Sequence, residues 1–193
     1  MPFISAKARE DAASSGSTKD GYLNPSSIKS GQKVRFTLLA EEPFMFYELW
    51  GNDVNDPQKR KPFRFLEEPT PEDISVKLGN NFVRSLSRDG KGNEPSRIAH
   101  AVPIYNYDLE RVQVFSWTQK TITQALDNIS QLEDYADSMT ECDFYLSRDG
   151  EGTDTRYTVQ AAPKKKAMAK TVDAEWDAAQ EEGFDLSRLI DGG

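Results

Sequence analysis

A single helix-period segment stands among strand-like runs, and that order restricts the folds open to this chain. In "TQKTITQALDNISQLEDYA" (118–136), Ile122, Ala125, Leu126, Ile129 and Leu132 recur at spacings of three and four. That spacing predicts one amphipathic helix, with Thr118 or Thr121 as its N-cap. Before it, Val34, Phe36 and Leu38 alternate with Lys33, Arg35 and Thr37 in "KVRFTLLA", the pattern of a half-buried strand. "FMFYELW" (44–50) is a second strand, and 74–78 and 81–86 are short ones. "RIAHAVPIYNYDLERVQVFSWTQ" reads as a hairpin turning at 106–110. After the helix, "CDFYLSR" and "TRYTVQAA" form another, with Phe144 and Leu146 facing Tyr157 and Val159. Strands and helices do not alternate, so the expectation is a mainly β chain with one helix: a small OB-type Greek-key barrel.

The 193 residues allow one cored domain plus tails. Residues 1–27 read as a flexible N-terminal arm, 28–163 as the OB-type domain, and 164–193 as a linker and acidic C-terminal tail. Cys142 is the only cysteine, so no disulfide can form within the chain, and a reducing setting is expected. The opening residues carry no apolar h-region, and no stretch approaches the roughly 20 apolar residues of a membrane span. A cytoplasmic protein without membrane contact is the expectation. Net charge is −8, spread unevenly: residues 28–120 carry fourteen basic and thirteen acidic side chains, residues 121–163 two and nine. A near-neutral body with local basic clusters can still hold a polyanion.

The run LSRDG-x-G occurs twice, at 86–92 and 146–152. Neither copy opens a helix or carries the third glycine of a dinucleotide fingerprint or a P-loop Gly-Lys-Ser/Thr. Asp-Gly followed closely by Gly supplies the positive φ values of hairpin loops, so the repeat is turn grammar. The copies differ in charge: Arg84, Arg88, Lys91 and Arg97 surround the first, and Asp149, Glu151 and Asp154 the second.

Catalytic chemistry has little basis. His100 is the only histidine and lies in an apolar run, and Cys142 has no second thiol for a zinc site. The expectation is no enzyme, no metal and no cofactor; a hydrolase using Cys142 and His100 is a distant alternative. Binding has more support. Lys59, Arg60, Lys61 and Arg64 interleave with Phe63 and Phe65, beside Tyr47 and Trp50. Such interleaving suits a single strand, with cations for phosphates and rings on which unpaired bases stack. Tyr105, Tyr107 and Trp117 on the central hairpin form a second set. The acidic tail carries Trp176, Phe184, Leu186, Leu189 and Ile190, which can dock in a partner's groove.

The stretches "VPIYNYDLERVQVFSWTQKTITQAL" and "CDFYLSRDGEGTDTRYTVQAAP" resemble the single-stranded DNA-binding proteins of tailed bacteriophages, an OB-type family. Gly31–Phe36, Pro62–Phe65, Ile104–Tyr107, Thr118–Ile122 and Arg148–Val159 carry the likeness, over about residues 31–163. The resemblance implies non-catalytic coating and protection of single-stranded DNA in phage replication, recombination and repair. It also implies an acidic tail that recruits replication or recombination proteins. Phosphates would lie along Arg35, Lys59, Arg60, Lys61, Arg64, Arg84, Arg88 and Lys91. Trp50, Phe63, Phe65, Tyr105, Tyr107 and Trp117 would supply rings. Some relatives hold zinc; this chain lacks the ligands. The competing reading is an OB-type protein-interaction or assembly module that binds no nucleic acid.

Overall fold

The computed structural model describes residues 21–133, 135 and 138–191. Most of the expected N-terminal arm (1–20) lies outside them. In chain order the elements are β1 (Tyr22–Leu23), β2 (Gln32–Leu38), β3 (Phe44–Asp53), β4 (Arg60–Phe65), α1 (Pro71–Leu78) and β5 (Phe82–Arg84). They continue with β6 (Arg97–Asn106), β7 (Arg111–Trp117), α2 (Lys120–Ser130), β8 (Cys142–Asp149), β9 (Arg156–Pro163) and α3 (Ala169–Glu181).

The strands form one branched, open sheet. Its main path runs β1-β7-β6-β2-β8-β9, and β3 with its partners β4 and β5 branches from β6. The branch arises because β6 is ten residues long and changes partner midway. Arg97 to Ala101 pair with β3, and Ile104 to Asn106 pair with β2. All pairings are antiparallel except the short parallel contact of β1 with β7.

Strand alternation sends side chains to two faces, and different elements cover each. On the first face Phe36, Ile104, Phe115, Phe144 and Leu146, all fully buried, pack beneath Ile122 and Ile129 of α2. Leu23 and Ile28, from the segment that precedes β2, close the same cluster. On the second face, Tyr105 and Tyr107 pack against Val172 of α3. Farther along that face Phe46, Ala99, Ala101 and Val114 receive Leu189 from the C-terminal turn. Beyond the branch, Leu49 and Phe63 pack on Ile74 of α1.

This architecture corrects the expected OB-type barrel with one helix. Among the described residues the fold is mixed α/β, with three α-helices and a sheet that does not close. Among the described residues, no pairing joins β9 or β4 to β1. Residues 74–78, expected as a strand, belong to α1. "PTPED" (69–73) holds its capping box: Asp73 N donates to Thr70 Oγ1 at 3.2 Å, and Thr70 N donates to Asp73 Oδ2 at 2.9 Å. Pro71 occupies the first turn, where its missing N–H costs nothing. The third helix, α3, lies in the acidic segment; its capacity to bury only one side chain, Val172, kept its periodicity faint.

Both LSRDG copies lead into turns, the second from the end of β8. In the first, Ser87 N donates to Gly92 O and Asp89 Oδ1 accepts from Lys91 N. In the second, Gly150 has φ +76°, and a Cβ there would fall on the carbonyl oxygen of Asp154. Gly90, at φ +68°, has open space around it. Gly150→Ala is therefore expected to destabilise by about 2 kcal/mol or more, and Gly90→Ala by about 1 kcal/mol, from the left-handed conformation alone. Equal losses in urea titrations of the two variants would show that the Asp154 contact is relieved at little cost.

Candidate binding cleft

The open sheet leaves a cleft of about 1000 Å³. One wall is β3 and β4, paired Glu48 to Arg64 and Trp50 to Pro62. The other is β1 and its following turn, with the end of β7 and residues 116–119. Pro62 puts no N–H on the outer edge of β4, which blunts it against adding another strand.

One end is filled by the chain's own C-terminal turn. Leu189 is buried against Phe46, Ala99, Ala101 and Val114, with Phe184, Leu186 and Ile190 packed around it. Arg64 Nη1 donates to Leu189 O at 3.3 Å, and Lys77 Nζ donates to Ile190 O at 3.0 Å. Lys77 also donates to Arg64 O. Burial lowers the Lys77 pKa, against an opposing pull from the Asp191 carboxylate. Arg64 is further held by Glu48, 3.1 Å away. Two cations thus converge on the carbonyls of one docked turn, where the last orphan acceptors of a helical segment need donors.

The free end presents Trp50, Lys61, Asn24, Ser26, Thr118 and Gln119. The Arg60 guanidinium lies 5.1 Å from the Trp50 ring centre. Lys61 Nζ lies 4.4 Å from the centre of the Phe82 ring and 4.8 Å from that of Phe63. Lys59 is exposed beside them. This basic–aromatic segment is the part of the expected binding set that the fold brings together.

The other expected residues are dispersed. Arg35 is turned into an ion pair with buried Asp143, 2.7 Å away. Tyr105 is fully buried, and Tyr107 donates to Asp143 Oδ1 at 3.0 Å. Burial, with the neighbouring Asp143 charge, raises the Tyr107 pKa. Trp117 is 4% exposed, stacked on Phe115 and His100, and its Nε1 donates to Thr123 Oγ1 at 3.0 Å. Phe63 is buried and Phe65 half-buried under α1. Arg84 Nε donates to Glu94 O at 2.9 Å, while Arg88 and Lys91 are exposed on the first LSRDG turn. Of the tail residues, Trp176 packs edge-on against Phe184, and Phe184, Leu186, Leu189 and Ile190 dock on the body.

Sequence reasoning missed Lys77, because its segment read as a strand, and Glu48, because nothing in one chain marks a cross-strand ion pair. It also passed over Glu94, which lies between the first LSRDG turn and Arg97. At Cys142, burial, with Asp143 next, pushes the thiol pKa up to about 11. Cys142 donates weakly to Met139 O, while burial lowers the pKa of His100, which stacks on Trp117. Among the described residues, no group of acidic, histidine or cysteine side chains could hold a metal, and no helix is long and apolar enough to cross a membrane.

Comparison with protein families, with curated proteins and with solved structures finds no match for this chain. The resemblance to phage single-stranded DNA-binding proteins is accordingly set aside. The mixed α/β open sheet replaces the OB barrel on which both the strand-coating function and the OB-type interaction module rested.

Proposed function

We propose that this protein is a non-catalytic binding module whose cleft captures an acidic segment with apolar anchors, of the kind its own C-terminal turn exemplifies. The observation that carries the reading is the docking of Leu189 under paired donors from Arg64 and Lys77. An apolar pocket gives the affinity, and cations at its rim favour an acidic chain over a basic one. The docked segment supplies both: residues 183–193 carry Asp185 and Asp191 against the single cation Arg188, around the Leu189 anchor. A partner with the same chemistry would exchange with the cis segment, whose high effective concentration keeps weak competitors out.

The test uses the full chain and a variant ending at Glu182. A fluorescein-labelled peptide spanning 183–193 is expected to bind the shortened chain and to bind the full chain far more weakly. Leu189→Asp in the peptide removes about 1.5–3 kcal/mol of apolar burial, so affinity should fall roughly ten- to hundredfold. Equal binding of both peptides, or equal binding by both chains, would overturn the reading.

A further inference from the structure

Next to Trp50, which lines the cleft, Arg60 belongs to a second arrangement whose residues lie outside the cleft lining. Two guanidiniums grip one carboxylate: Arg60 Nη2 lies 2.9 Å from Glu94 Oε2, and Arg97 Nη2 lies 3.1 Å from Glu94 Oε1. A third, Arg84, donates to the backbone carbonyl of the same residue at 2.9 Å. The register explains the convergence. Arg97 pairs with Glu48 on β3, and Arg60 pairs with Asn52 four residues along, so both side chains rise from the face that bears Trp50. Glu94 is 17% exposed, whereas Arg60 and Arg97 are 45% and 56% exposed. The carboxylate is enclosed, and the donors around it remain open to solvent.

We propose that Arg60, Arg97 and Arg84 form a clamp for a phosphate monoester dianion, with Glu94 as its resting occupant. Two guanidiniums on one carboxylate, with a third on the backbone carbonyl of the same residue, leave the cluster net positive. Arginine forks match the oxygens of a phosphate as well as those of a carboxylate. An intramolecular carboxylate acts at an effective concentration on the order of mM, so an external monoanion gains nothing by replacing it. A dianion with three terminal oxygens satisfies both forks and neutralises more of the charge, which is the chemistry that can displace Glu94. The Trp50 ring beneath Arg60 holds that guanidinium in place. The dianion can be free or carried on a peptide side chain. The clamp's ion pairs and hydrogen bond to Glu94 do not involve the C-terminal turn, so the clamp stands whether or not the cleft takes an acidic segment.

The experiment is isothermal titration of the full chain at low ionic strength and pH 8, with three probes: inorganic phosphate, a phosphoserine peptide and dimethyl phosphate. The first two are expected to bind, and dimethyl phosphate, a monoanion, at least tenfold more weakly. Glu94→Gln removes the competing charge and should tighten phosphate binding about tenfold; Arg97→Ala should weaken it about tenfold, with circular dichroism confirming both folds. A phosphoserine peptide that binds more tightly than inorganic phosphate identifies a peptide-borne group, and equal affinities identify the free anion. Dimethyl phosphate binding as well as phosphate would overturn the proposal. So would an absence of phosphate binding, or affinities that neither substitution changes.

Discussion

Asp143→Ala is expected to cost about 3–5 kcal/mol of folding stability, the largest effect of any single polar substitution in the chain. The carboxylate is completely buried on β8, and four donors converge on it. Arg35 Nε and Nη2 lie 2.9 and 2.7 Å from Oδ2, Tyr107 donates to Oδ1 at 3.0 Å, and the backbone N–H of Lys165 donates to Oδ2 at 3.1 Å. Removing the carboxylate strands the Arg35 guanidinium over the Tyr107 and Tyr145 rings with no counter-charge. It also releases the chain where it turns from β9 towards α3. Asp143→Asn keeps an acceptor and should lose less. Equilibrium urea unfolding reads both; a loss below about 1 kcal/mol for the alanine variant would mean that water replaces the carboxylate.

Phe36→Ala is expected to cost about 3–5 kcal/mol for a different reason. Its ring is fully buried at the centre of the first face, with centroids 5.2 Å from Phe115 and 5.7 Å from Phe144. β2 is hydrogen-bonded on both sides, to β6 and β8, so its backbone cannot move inward to fill the cavity. Phe36→Leu retains most of the volume and should cost less than half as much. A similar loss for alanine and leucine in urea titrations would place the energy in the ring–ring contacts and not in the cavity.

Phe36 belongs to what was legible in advance. The alternation around it, the central hairpin, the closing hairpin and α2 all have dense apolar periods, and each forms within a few residues of its expected bounds. A difference inside the closing hairpin is informative. Leu146 does face Val159, but Phe144 faces Ala161 and Tyr157 faces Arg148. The period places side chains on a face, and only the turn, with Gly150 and Gly152 at positive φ, sets the register. α1 was open to reading through Thr70, Pro71 and Asp73, a capping signature that the following β-branched Ile74 and Val76 obscured.

The candidate site was half legible. Lys61, Phe63 and Arg64 of β4 line the cleft, yet Tyr105 and Tyr107, equally aromatic in sequence, are core. A strand in the middle of a sheet covered on both faces buries rings of either parity, so alternation alone cannot sort binding rings from packing rings. Arg35 shows the same limit for cations, since a counter-charge 108 residues away removes it from the surface.

By itself the sequence determined the local elements with strong periods, the two Asp-Gly turns and the clustering of cations around β4, because these depend on neighbours a few residues apart. Only the tertiary structure decided that β6 divides its length between β3 and β2, that the sheet stays open, and that Leu189 returns to fill the resulting cleft. Those outcomes depend on which distant strands share hydrogen bonds and which apolar side chains bury one another, and neither is encoded in any local period.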